Sequence, residues 1–369
     1  MSADVAVIGA GVVGASVAFH LAKLGRKVVV LERGLGRGEG STGRATGGFR
    51  AQFETEVNVR LSLLSRDKLR RFSDEVGADP GYLPCGYLWL ADSDAQLAAL
   101  GSAQELQHRC GLTEARLVTN DEILCLQPAA SLEGIAGGAF CPTDGFIRPL
   151  GILSGYLDAA ARLGVEVRHG APVERFELDA SGITTVIAGG ARLPVGAVVN
   201  AAGPWAAEVA ALAGVELPVA PLRRQIAVTA PFAGLPAEMP MTIWLRDGFH
   251  LRVRDGRVLL LLPSAPAADR LSTQVDDAWV EEVVAIARRR IPLLTQATLD
   301  RAACTAGLYE MSPDRHAIVG RAAGLKNFFL ACGSSGHGSS VQSQSLWRTS
   351  TGRTSMPCLR ASATSCGGW

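Results

Sequence analysis

The 369-residue sequence lacks the features that mark several other protein classes. None of its eight cysteines belongs to a CxxC pair, and a chain of this length does not need disulfide bonds to hold a core. The apolar runs, such as residues 258–263, have the length of a strand and not of a membrane span. A formal net charge of +1 provides no attraction to nucleic acid or to an anionic membrane.

Further absences narrow the class of protein. Only four of the 36 basic residues are lysine, a bias typical of a GC-rich gene. The N-terminus carries Asp4 and no basic leader, so we expect no secretory signal. We find no metal-ligand cluster and no Ser/His/Asp hydrolase motif. The sequence therefore predicts a cytoplasmic protein with reduced thiols, no metal, no nucleic-acid partner and no membrane span. Its length and its 48% hydrophobic content predict two domains.

The first positive signal is a glycine-rich motif near the N-terminus. Residues 5–8 form an apolar run typical of a buried strand, and Gly9, Gly11 and Gly14 follow in GxGxxG spacing before a predicted amphipathic helix. A second predicted strand ends at Glu32. Because strand, helix, second strand and acidic residue all stand in order, the pattern predicts a dinucleotide-binding unit.

Each residue of this motif has a physical role in dinucleotide binding. Gly9 permits the tight turn, Gly11 allows the backbone to approach a pyrophosphate, and Gly14 allows close packing of helix and strand. The helix N-terminus offers free N–H groups to the pyrophosphate. Glu32 is placed to accept hydrogen bonds from the ribose hydroxyls. The motif alone does not separate NAD from FAD.

A second glycine-rich segment, residues 32–52, favours FAD. Ser41, Thr42, Arg44 and Arg50 stand among its glycines. Backbone N–H groups and hydroxyls at this density suit a loop along a phosphate and a flavin ring, although a flexible surface loop is the alternative.

At this point the sequence resembles the FAD-dependent amine oxidoreductases of the D-amino-acid oxidase superfamily, and within it the branch of sarcosine oxidase and the proline dehydrogenase β-subunit. The resemblance covers roughly residues 3–338. Besides the glycine motif with Glu32 and Arg33, it depends on these segments: 41–50, "DGFIRPLGILSGYLDAAARLGVEV" (144–167), "VVNAAGPWAAEVAALAGVELPVAPLRRQ" (198–225), "AGLYEMSPDRHAIVG" (306–320) and "ACGSSGHG" (331–338).

The resemblance implies an α/β fold in which a Rossmann-like FAD-binding domain is interleaved with a mixed, mainly antiparallel substrate-domain sheet. The FAD domain would take residues 1–80, 146–218 and 306–369, and the substrate domain residues 81–145 and 219–305. Local patterns agree with this fold. They predict helices at 150–163 and 276–291, strands at 82–91, 197–200, 223–231 and 327–331, and a hairpin at 248–263 that turns at Asp255-Gly256.

The resemblance also implies a set of FAD contacts and a non-covalent cofactor. A backbone group near Val173 would hold the adenine, and the loop at 333–338 with the following helix would face the pyrimidine end of the flavin. The implied FAD-binding residues are Gly9, Gly11, Gly14, Glu32, Arg33, Ser41, Thr42, Val173, Ala202, Gly203, Trp205, Gly333, Gly336, His337 and Gly338. Gly307 stands where monomeric sarcosine oxidase carries its flavin-linking cysteine, so no thiol is present for a covalent bond.

The family reaction takes a hydride from the carbon next to an amine nitrogen, and the imine is then hydrolysed. A carboxylate on the substrate calls for an arginine, and Arg50 matches the carboxylate-binding arginine of monomeric sarcosine oxidase. A solvated loop arginine and an FAD phosphate partner are the alternatives for Arg50. Tyr309 replaces the arginine that D-amino-acid and glycine oxidases carry there, which favours the sarcosine and proline side. We take Tyr309 and His250 as candidate catalytic residues, with a surface strand histidine as the alternative for His250.

Other features leave the electron acceptor and the activity open. The oxygen-activating lysine of monomeric sarcosine oxidase is expected near residues 263–271, where this chain has none. A dehydrogenase, or a subunit that passes electrons to a partner or acceptor, is therefore at least as favoured as an oxidase. His337 fits a flavin-side residue better than a base, and Asp314 and His316 fit turn residues. The alternatives are a non-catalytic or C-terminally damaged flavoprotein subunit and, less favoured, an NAD(P)-dependent dehydrogenase.

The segment after Gly338 has no helical or strand pattern and hardly any acidic residues. In the resembled family a helix and a short apolar-acidic ending follow this point. Back-translated and read from the third base of each codon, residues from about 345 onward can encode helix formers and a family-like ending. Trp347 and Met356, with one codon each, both require alanine in that frame. We therefore interpret residues 339–369 as irregular and out of frame.

Overall fold

The computed structural model describes residues 2–336. The helices and strands within this range are numbered in chain order. The strands are β1 (Ala3–Ile8), β2 (Val28–Leu31), β3 (Gly48–Phe49), β4 (Tyr87–Ala91), β5 (Arg116–Val118), β6 (Gly137–Cys141), β7 (Gly145–Phe146), β8 (Glu166–Arg168), β9 (Val173–Asp179), β10 (Gly182–Ala188), β11 (Ala191–Asn200), β12 (Ala220–Val228), β13 (Met241–Trp244), β14 (His250–Arg254), β15 (Arg257–Leu261), β16 (Thr305–Met311), β17 (Ile318–Arg321) and β18 (Phe328–Cys332).

The helices lie mainly between these strands. They are α1 (Val12–Lys23), α2 (Glu56–Arg70), α3 (Phe72–Val76), α4 (Asp94–Arg109), α5 (Asn120–Leu126), α6 (Pro149–Arg162), α7 (Ala206–Ala211) and α8 (Asp277–Arg290), with 3₁₀ turns at Gly203–Trp205, Pro292–Gln296 and Arg301–Ala303. No helix in the described part of the chain is long and apolar enough to cross a membrane.

The first sheet has a parallel centre covered on both faces. Its strand order is β17-β18-β11-β1-β2-β8, with the antiparallel pair β9-β10 attached to β11. Successive residues of β1 alternate between two cores: Val5 and Val7 pack toward α1 and α6, and Ala6 and Ile8 pack on the opposite side. A parallel strand that is buried on both faces needs a continuous run of apolar residues. The sequence analysis could therefore predict β1 and β2 from their apolar runs.

The second sheet is mixed and mainly antiparallel. Its order is β16-β12-β15-β14-β13-β4-β6-β5, and β13-β4 is its parallel pair. One face packs against α8, through residues such as Leu251 and Val253. The opposite face carries Tyr87, Trp89, Arg224, His250 and Tyr309, because register places these positions on the same side across paired strands. We call this opposite face the site face.

Both sheets confirm the predicted fold class, and most element positions agree with the predictions to within a few residues. The hairpin of β14 and β15 turns at Asp255 and Gly256, both at positive φ (52° and 72°), as an Asp-Gly turn requires. The side chain of Asp276 caps α8. The strand predicted from residue 82 begins at Tyr87, because Gly86 (φ 95°) interrupts the extended backbone.

The boundaries of the two predicted domains stay a prediction. His337, Gly338 and the tail interpreted as out of frame lie outside the described residues.

Candidate FAD and substrate site

The turn between β1 and α1 and the first turn of α1 each contain a position that admits only glycine. Gly9 has a φ of 100°, and a β-carbon on it would overlap the carbonyl oxygen of Ala201 at the end of β11. A β-carbon on Gly14 would overlap the carbonyl of Gly9. Gly11 is the N-cap of α1, and the first turn of this helix has no acidic residue. The turn is thus a close-packed backbone cradle beside the N-terminus of α1, which suits a pyrophosphate.

Glu32 joins the loops at the ends of β1 and β2. One carboxylate oxygen accepts from the backbone N–H of Ala10 at 2.7 Å, and the other accepts from Gly34 at 2.7 Å. Each carboxylate oxygen can accept a second hydrogen bond, so contact with a ribose hydroxyl stays compatible with this geometry. That predicted role stays a prediction.

Two predicted cofactor residues from distant parts of the chain come together next to this turn. The guanidinium of Arg33 stacks on the indole of Trp205, 3.9 Å from the ring centroid. Trp205 ends the 3₁₀ turn that follows β11, in which Gly203 has a φ of 57°. The amide of Asn200, buried at the end of β11, closes that turn by accepting from Ala202 N–H and donating to the carbonyl of Ala206.

The loop of Ser41 and Thr42 connects α1 with the second sheet. Thr42 accepts a hydrogen bond from the backbone N–H of Val12 at 3.1 Å, and Ser41 donates to the carbonyl of Leu308 at 2.7 Å. Thr42 therefore lies beside the cradle and Ser41 beside β16, and their predicted FAD contacts stay a prediction. Val173 begins β9 and packs on the core beneath the first sheet, and its predicted adenine contact stays a prediction.

The loop after β18 lies against β16. Gly333 and Gly336 both have positive φ (71° and 78°), and a β-carbon on Gly336 would overlap the ring of Tyr309. Ser335 N–H donates to the backbone carbonyl of Glu310 at 3.0 Å. The loop therefore requires glycine at the position where the backbone crosses the tyrosine ring.

Glu310 is a buried carboxylate under this loop that the sequence analysis missed. One oxygen, Oε1, accepts from the N–H and the hydroxyl of Ser334 at 3.2 and 2.7 Å. The other, Oε2, has no hydrogen-bond partner among the described residues and lies 3.9 Å from where a β-carbon on Gly203 would stand. Burial raises the pKa of this carboxyl group. An orphan acceptor beside the predicted cofactor turn can take a hydroxyl donor.

On the substrate side, Arg50 is a cation stacked on aromatic rings, and it has no counter-ion in the described part of the chain. Its guanidinium lies 4.3 Å from the ring centroid of Phe53 and 4.9 Å from that of Trp89. It makes no hydrogen bond or ion pair within residues 2–336. Burial lowers its pKa, and the carboxylates of Asp144 and Glu54 oppose that effect only at longer range. This arrangement leaves the donors of Arg50 available to an anionic ligand.

Asp144 fixes the backbone next to Arg50 and was also missed. It is fully buried and accepts from Ala51 N–H at 2.7 Å, from Gln52 N–H at 3.4 Å and from the Gln52 side-chain amide at 3.1 Å. Burial raises its pKa to about 6, against the lowering effect of these hydrogen bonds. Asp144 is therefore a positioning residue for the segment that carries Arg50.

His250 begins β14 on the site face and is held as a neutral ring. Its Nδ1 donates to the carbonyl of Gly248 at 2.8 Å, since a carbonyl can only accept. Burial lowers its pKa to about 4, and the positive charges of Arg50 and Arg224 lower it further. The neutral tautomer leaves Nε2 as a hydrogen-bond acceptor. His250 thus lies near Arg50, and its catalytic role stays a prediction.

Two further arginines on β14 tie the site face to the cofactor loop. Arg252 donates to the carbonyls of Thr46 and Gly47 at 2.8 and 3.2 Å, and its guanidinium stacks 3.4 Å from the centroid of Phe146. Arg254 donates to the carbonyl of Ala45 at 3.0 Å. Burial lowers the pKa of Arg252 to about 10. This value is well above neutral pH, so the side chain keeps its positive charge. In the sequence, the alternation of His250, Arg252 and Arg254 with apolar residues in "HLRVR" could have indicated that all three lie on one face of a strand.

Tyr309 and Arg224 complete the cluster. Arg224 on β12 lies with its guanidinium 5.7 Å from the ring centroid of Tyr309, and burial lowers its pKa. Burial also raises the pKa of Tyr309, which the two cations Arg224 and Arg50 oppose. The structure therefore brings together the three predicted substrate-side residues, Arg50, His250 and Tyr309, and adds Arg224 to them.

Gly307 on β16 leaves no room for a thiol without rearrangement. A β-carbon there would lie 3.1 Å from Cβ of Arg44, which packs over the strand at this point.

The comparisons with known proteins agree with this geometry. The DAO family, described as FAD dependent oxidoreductase, matches residues 4–341. The chain belongs to this family. Membership confirms the predicted recognition, FAD as the cofactor and oxidoreductase chemistry, and it disfavours the NAD(P) alternative.

Three relatives show the range of the DAO family around this chain. Human mitochondrial dimethylglycine dehydrogenase is 27% identical over 356 residues, and the match covers 90% of this chain and 40% of that protein. The chain thus spans about 40% of the length of that relative. The structure of L-proline dehydrogenase from P. horikoshii has a TM-score of 0.85 at 27% identity, covering 94% of this chain and 91% of that one. Glycine oxidase from Geobacillus kaustophilus has a TM-score of 0.85 at 25% identity, covering 96% of both chains.

The described residues fit FAD at three places. The backbone around Gly9 and Gly14 is a cradle that a β-carbon would fill, and the first turn of α1 beside it has no acidic residue. Glu310 offers a buried acceptor without a partner among the described residues. FAD supplies the hydride-accepting chemistry, and this chain supplies the surfaces that hold the cofactor and the substrate.

Proposed function

We propose that the protein oxidises the C–N bond of a small secondary amine or amino acid by hydride transfer to non-covalently bound FAD. The observation that carries the proposal is the cluster of Arg50, which has no ion-pair partner within residues 2–336, with a neutral His250 and Tyr309. Relatives that act on dimethylglycine, proline and glycine support this class of substrate.

Arg50 would bind the substrate carboxylate, and its stacking on Phe53 and Trp89 would hold the guanidinium in place. The positive potential of Arg50 and Arg224 disfavours an ammonium group, so the amine would bind in its neutral form. Nε2 of His250 can accept a hydrogen bond from the amine N–H. The neutral nitrogen lone pair then forms the C=N bond as the neighbouring C–H bond breaks with hydride loss, and water hydrolyses the iminium.

The test of this proposal is an anaerobic screen of the purified yellow protein. Sarcosine, proline, dimethylglycine and D-amino acids are mixed with it in turn, and bleaching of flavin absorbance is recorded. Bleaching reports the reductive step whatever acceptor follows, so it is independent of the choice between oxidase and dehydrogenase. We expect at least one carboxylated secondary amine to reduce the flavin. A protein that binds FAD and is reduced by none of them would support the alternative of a non-catalytic flavoprotein subunit.

A substitution separates carboxylate binding from general damage. Arg50→Ala loses a charge-assisted hydrogen bond worth roughly 1.5–3 kcal/mol, so the KM for an amino acid should rise about ten- to a hundredfold. A matched amine without a carboxylate should show little change. Equal effects on both substrates would reject the role of Arg50.

Gly307 motivates the proposal that FAD is not covalently attached. Acid precipitation should release the yellow colour into the supernatant, whereas colour retained in the pellet would contradict it.

The six cysteines within residues 2–336 are free thiols, which supports the proposed cytoplasmic, reducing location.

A further inference from the structure

Besides Arg50, the site contains Arg224. The proposed oxidation of an amino acid with one carboxylate does not require this second arginine. Arg224 lies 5.7 Å from the ring centroid of Tyr309, and Arg50 lies 4.9 Å from that of Trp89. Trp89 and His250 both pair with Ile243, so the two guanidinium groups flank the same face of the sheet. One carboxylate on the substrate accounts for one arginine. The second arginine needs a separate explanation.

Arg224 has almost no compensation from the protein itself. Its Nη1 donates to the carbonyl of Ser264 at 3.4 Å, the long end of hydrogen-bond distance. It has no ion-pair partner among residues 2–336. It lies beside the uncharged ring of Tyr309, and the charge that acts on it is that of another cation, Arg315. Leaving a half-buried guanidinium beside other cations is unfavourable unless an anion joins it.

The strand register of β12 shows which of its two neighbouring arginines lies on the side of Tyr309. Arg224 pairs with Gly307 and shares the side of Tyr309, whereas Arg223 alternates to the other side and donates to the carbonyl of Gln274 at 2.8 Å. Gly307 itself has no side chain, and Arg44 packs where one would stand, with its Cβ 3.1 Å from that position.

We infer that the substrate is an amino acid with a second carboxylate, in which Arg50 binds one acid group and Arg224 binds the other. This inference rests on the proposed amine oxidation at the same site and deepens it by naming an amino dicarboxylate as the substrate class. The two carboxylates of such a substrate would neutralise both guanidinium groups, and its amine would lie next to Nε2 of His250. A monocarboxylate leaves one cation uncompensated.

The test compares substrates that differ only at the distal group. Racemic N-methylglutamate and N-methylglutamine, and the shorter pair N-methylaspartate and N-methylasparagine, are mixed anaerobically with the FAD-loaded protein. The dissociation constant comes from the saturation of the flavin reduction rate. We expect the acid of the better-fitting pair to bind about ten- to a hundredfold more tightly than its amide, which is the contribution of one charge-assisted hydrogen bond.

Variants assign the preference to Arg224. Arg224→Met should remove the preference of acid over amide while the amide still reduces the flavin, and Arg224→Lys should retain part of it. Arg223→Met, a charge loss on the same strand but on the opposite side, should leave the preference intact. FAD content and the melting temperature of each variant show that it is folded.

The outcomes distinguish this inference from the proposed function. Equal binding of acid and amide by the unaltered protein would overturn the inference and leave amine oxidation standing, because the flavin is still reduced. If Arg224→Met changed only the reoxidation of the flavin, Arg224 would act on the electron acceptor and the inference would also fall. No reduction by any amine would reject the proposed function itself.

Discussion

The ring of Tyr309 lies directly against the backbone of Gly336, so close that a β-carbon on the glycine would overlap ring carbons Cδ2 and Cε2. Tyr309 belongs to the site face, and Gly336 belongs to the loop that follows the last strand of the first sheet. One contact therefore joins the substrate side of the site to the predicted flavin loop.

Gly336→Ala should destabilise the protein through this contact as well as through its backbone. Gly324 is the matched control, because it has a similar φ (82° against 78°) and open space where a β-carbon would stand. Gly324→Ala should cost about 1–2 kcal/mol, because an L-residue is strained in the left-handed region. Gly336→Ala should cost about 1–3 kcal/mol more, from forced displacement of the ring. The measurements are the free energy of unfolding in urea and the FAD dissociation constant. Equal costs for the two variants would mean that the ring moves away freely.

His250→Gln should change the pH dependence of stability. Burial lowers the pKa of His250 to about 4, so the folded state disfavours protonation, while the unfolded chain takes up a proton below its ordinary pKa of about 6.5. The original protein should therefore lose stability relative to the variant as the pH falls from 6.5 toward 4, by about 2 kcal/mol at pH 5. Urea unfolding at pH 7.5 and pH 5 measures the difference. His169→Gln, at an exposed position after β8, is the control. A difference that does not depend on pH would show that His250 is not held neutral.

Asp144→Asn should weaken the segment that carries Arg50. All the hydrogen bonds that Asp144 receives come from N–H donors, so an amide nitrogen in place of one oxygen would face a donor. The expected cost is about 1–3 kcal/mol, with weaker binding of the carboxylate substrate. Asp158→Asn is the control, because it removes a carboxylate that is 53% exposed and paired with Arg37. If Asp144→Asn were no more damaging than Asp158→Asn, the positioning role would be wrong.

Arg252→Met should loosen the cofactor loop. The substitution removes hydrogen bonds to the carbonyls of Thr46 and Gly47 and leaves those acceptors without their partner. We expect a loss of roughly 2–3 kcal/mol in unfolding free energy and a higher FAD dissociation constant. Arg246, with 76% of its side chain exposed, provides the control variant Arg246→Met. Unchanged FAD binding in Arg252→Met would show that the loop is held by other contacts.

The sequence predicted the parts of the fold that depend on neighbours in the chain. The strand, glycine turn and helix around Gly9 were predicted because a buried parallel strand and a positive-φ turn each leave a local pattern. The Asp255-Gly256 turn was predictable for the same reason. Arg50, His250 and Tyr309 were selected by resemblance, and the structure brings them into one cluster.

The missed residues depend on contacts between distant segments. Asp144 is 93 positions from its partner Ala51, and Glu310 is 24 positions from Ser334. In the sequence both are ordinary acidic residues. Arg224 stands next to Arg223 in an ordinary basic pair, and only the strand register shows which of the two lies beside Tyr309. No local pattern contains that information.

The hydrogen bonds that hold the cofactor loop also constrain the order in which the protein can fold. Ser41 bonds to a carbonyl 267 residues later, and Ala45 is bonded by an arginine 209 residues later. Closing such long loops is slow, because entropy is lost before the contact forms. During synthesis the early glycine turn can form as soon as its helix and strands have emerged, yet the loop beside it must wait until β14 and then β16 have left the ribosome. We therefore expect a growing chain to bind FAD late. Until then the loop from Ser41 to Ala45 has not formed its contacts and is exposed to proteases.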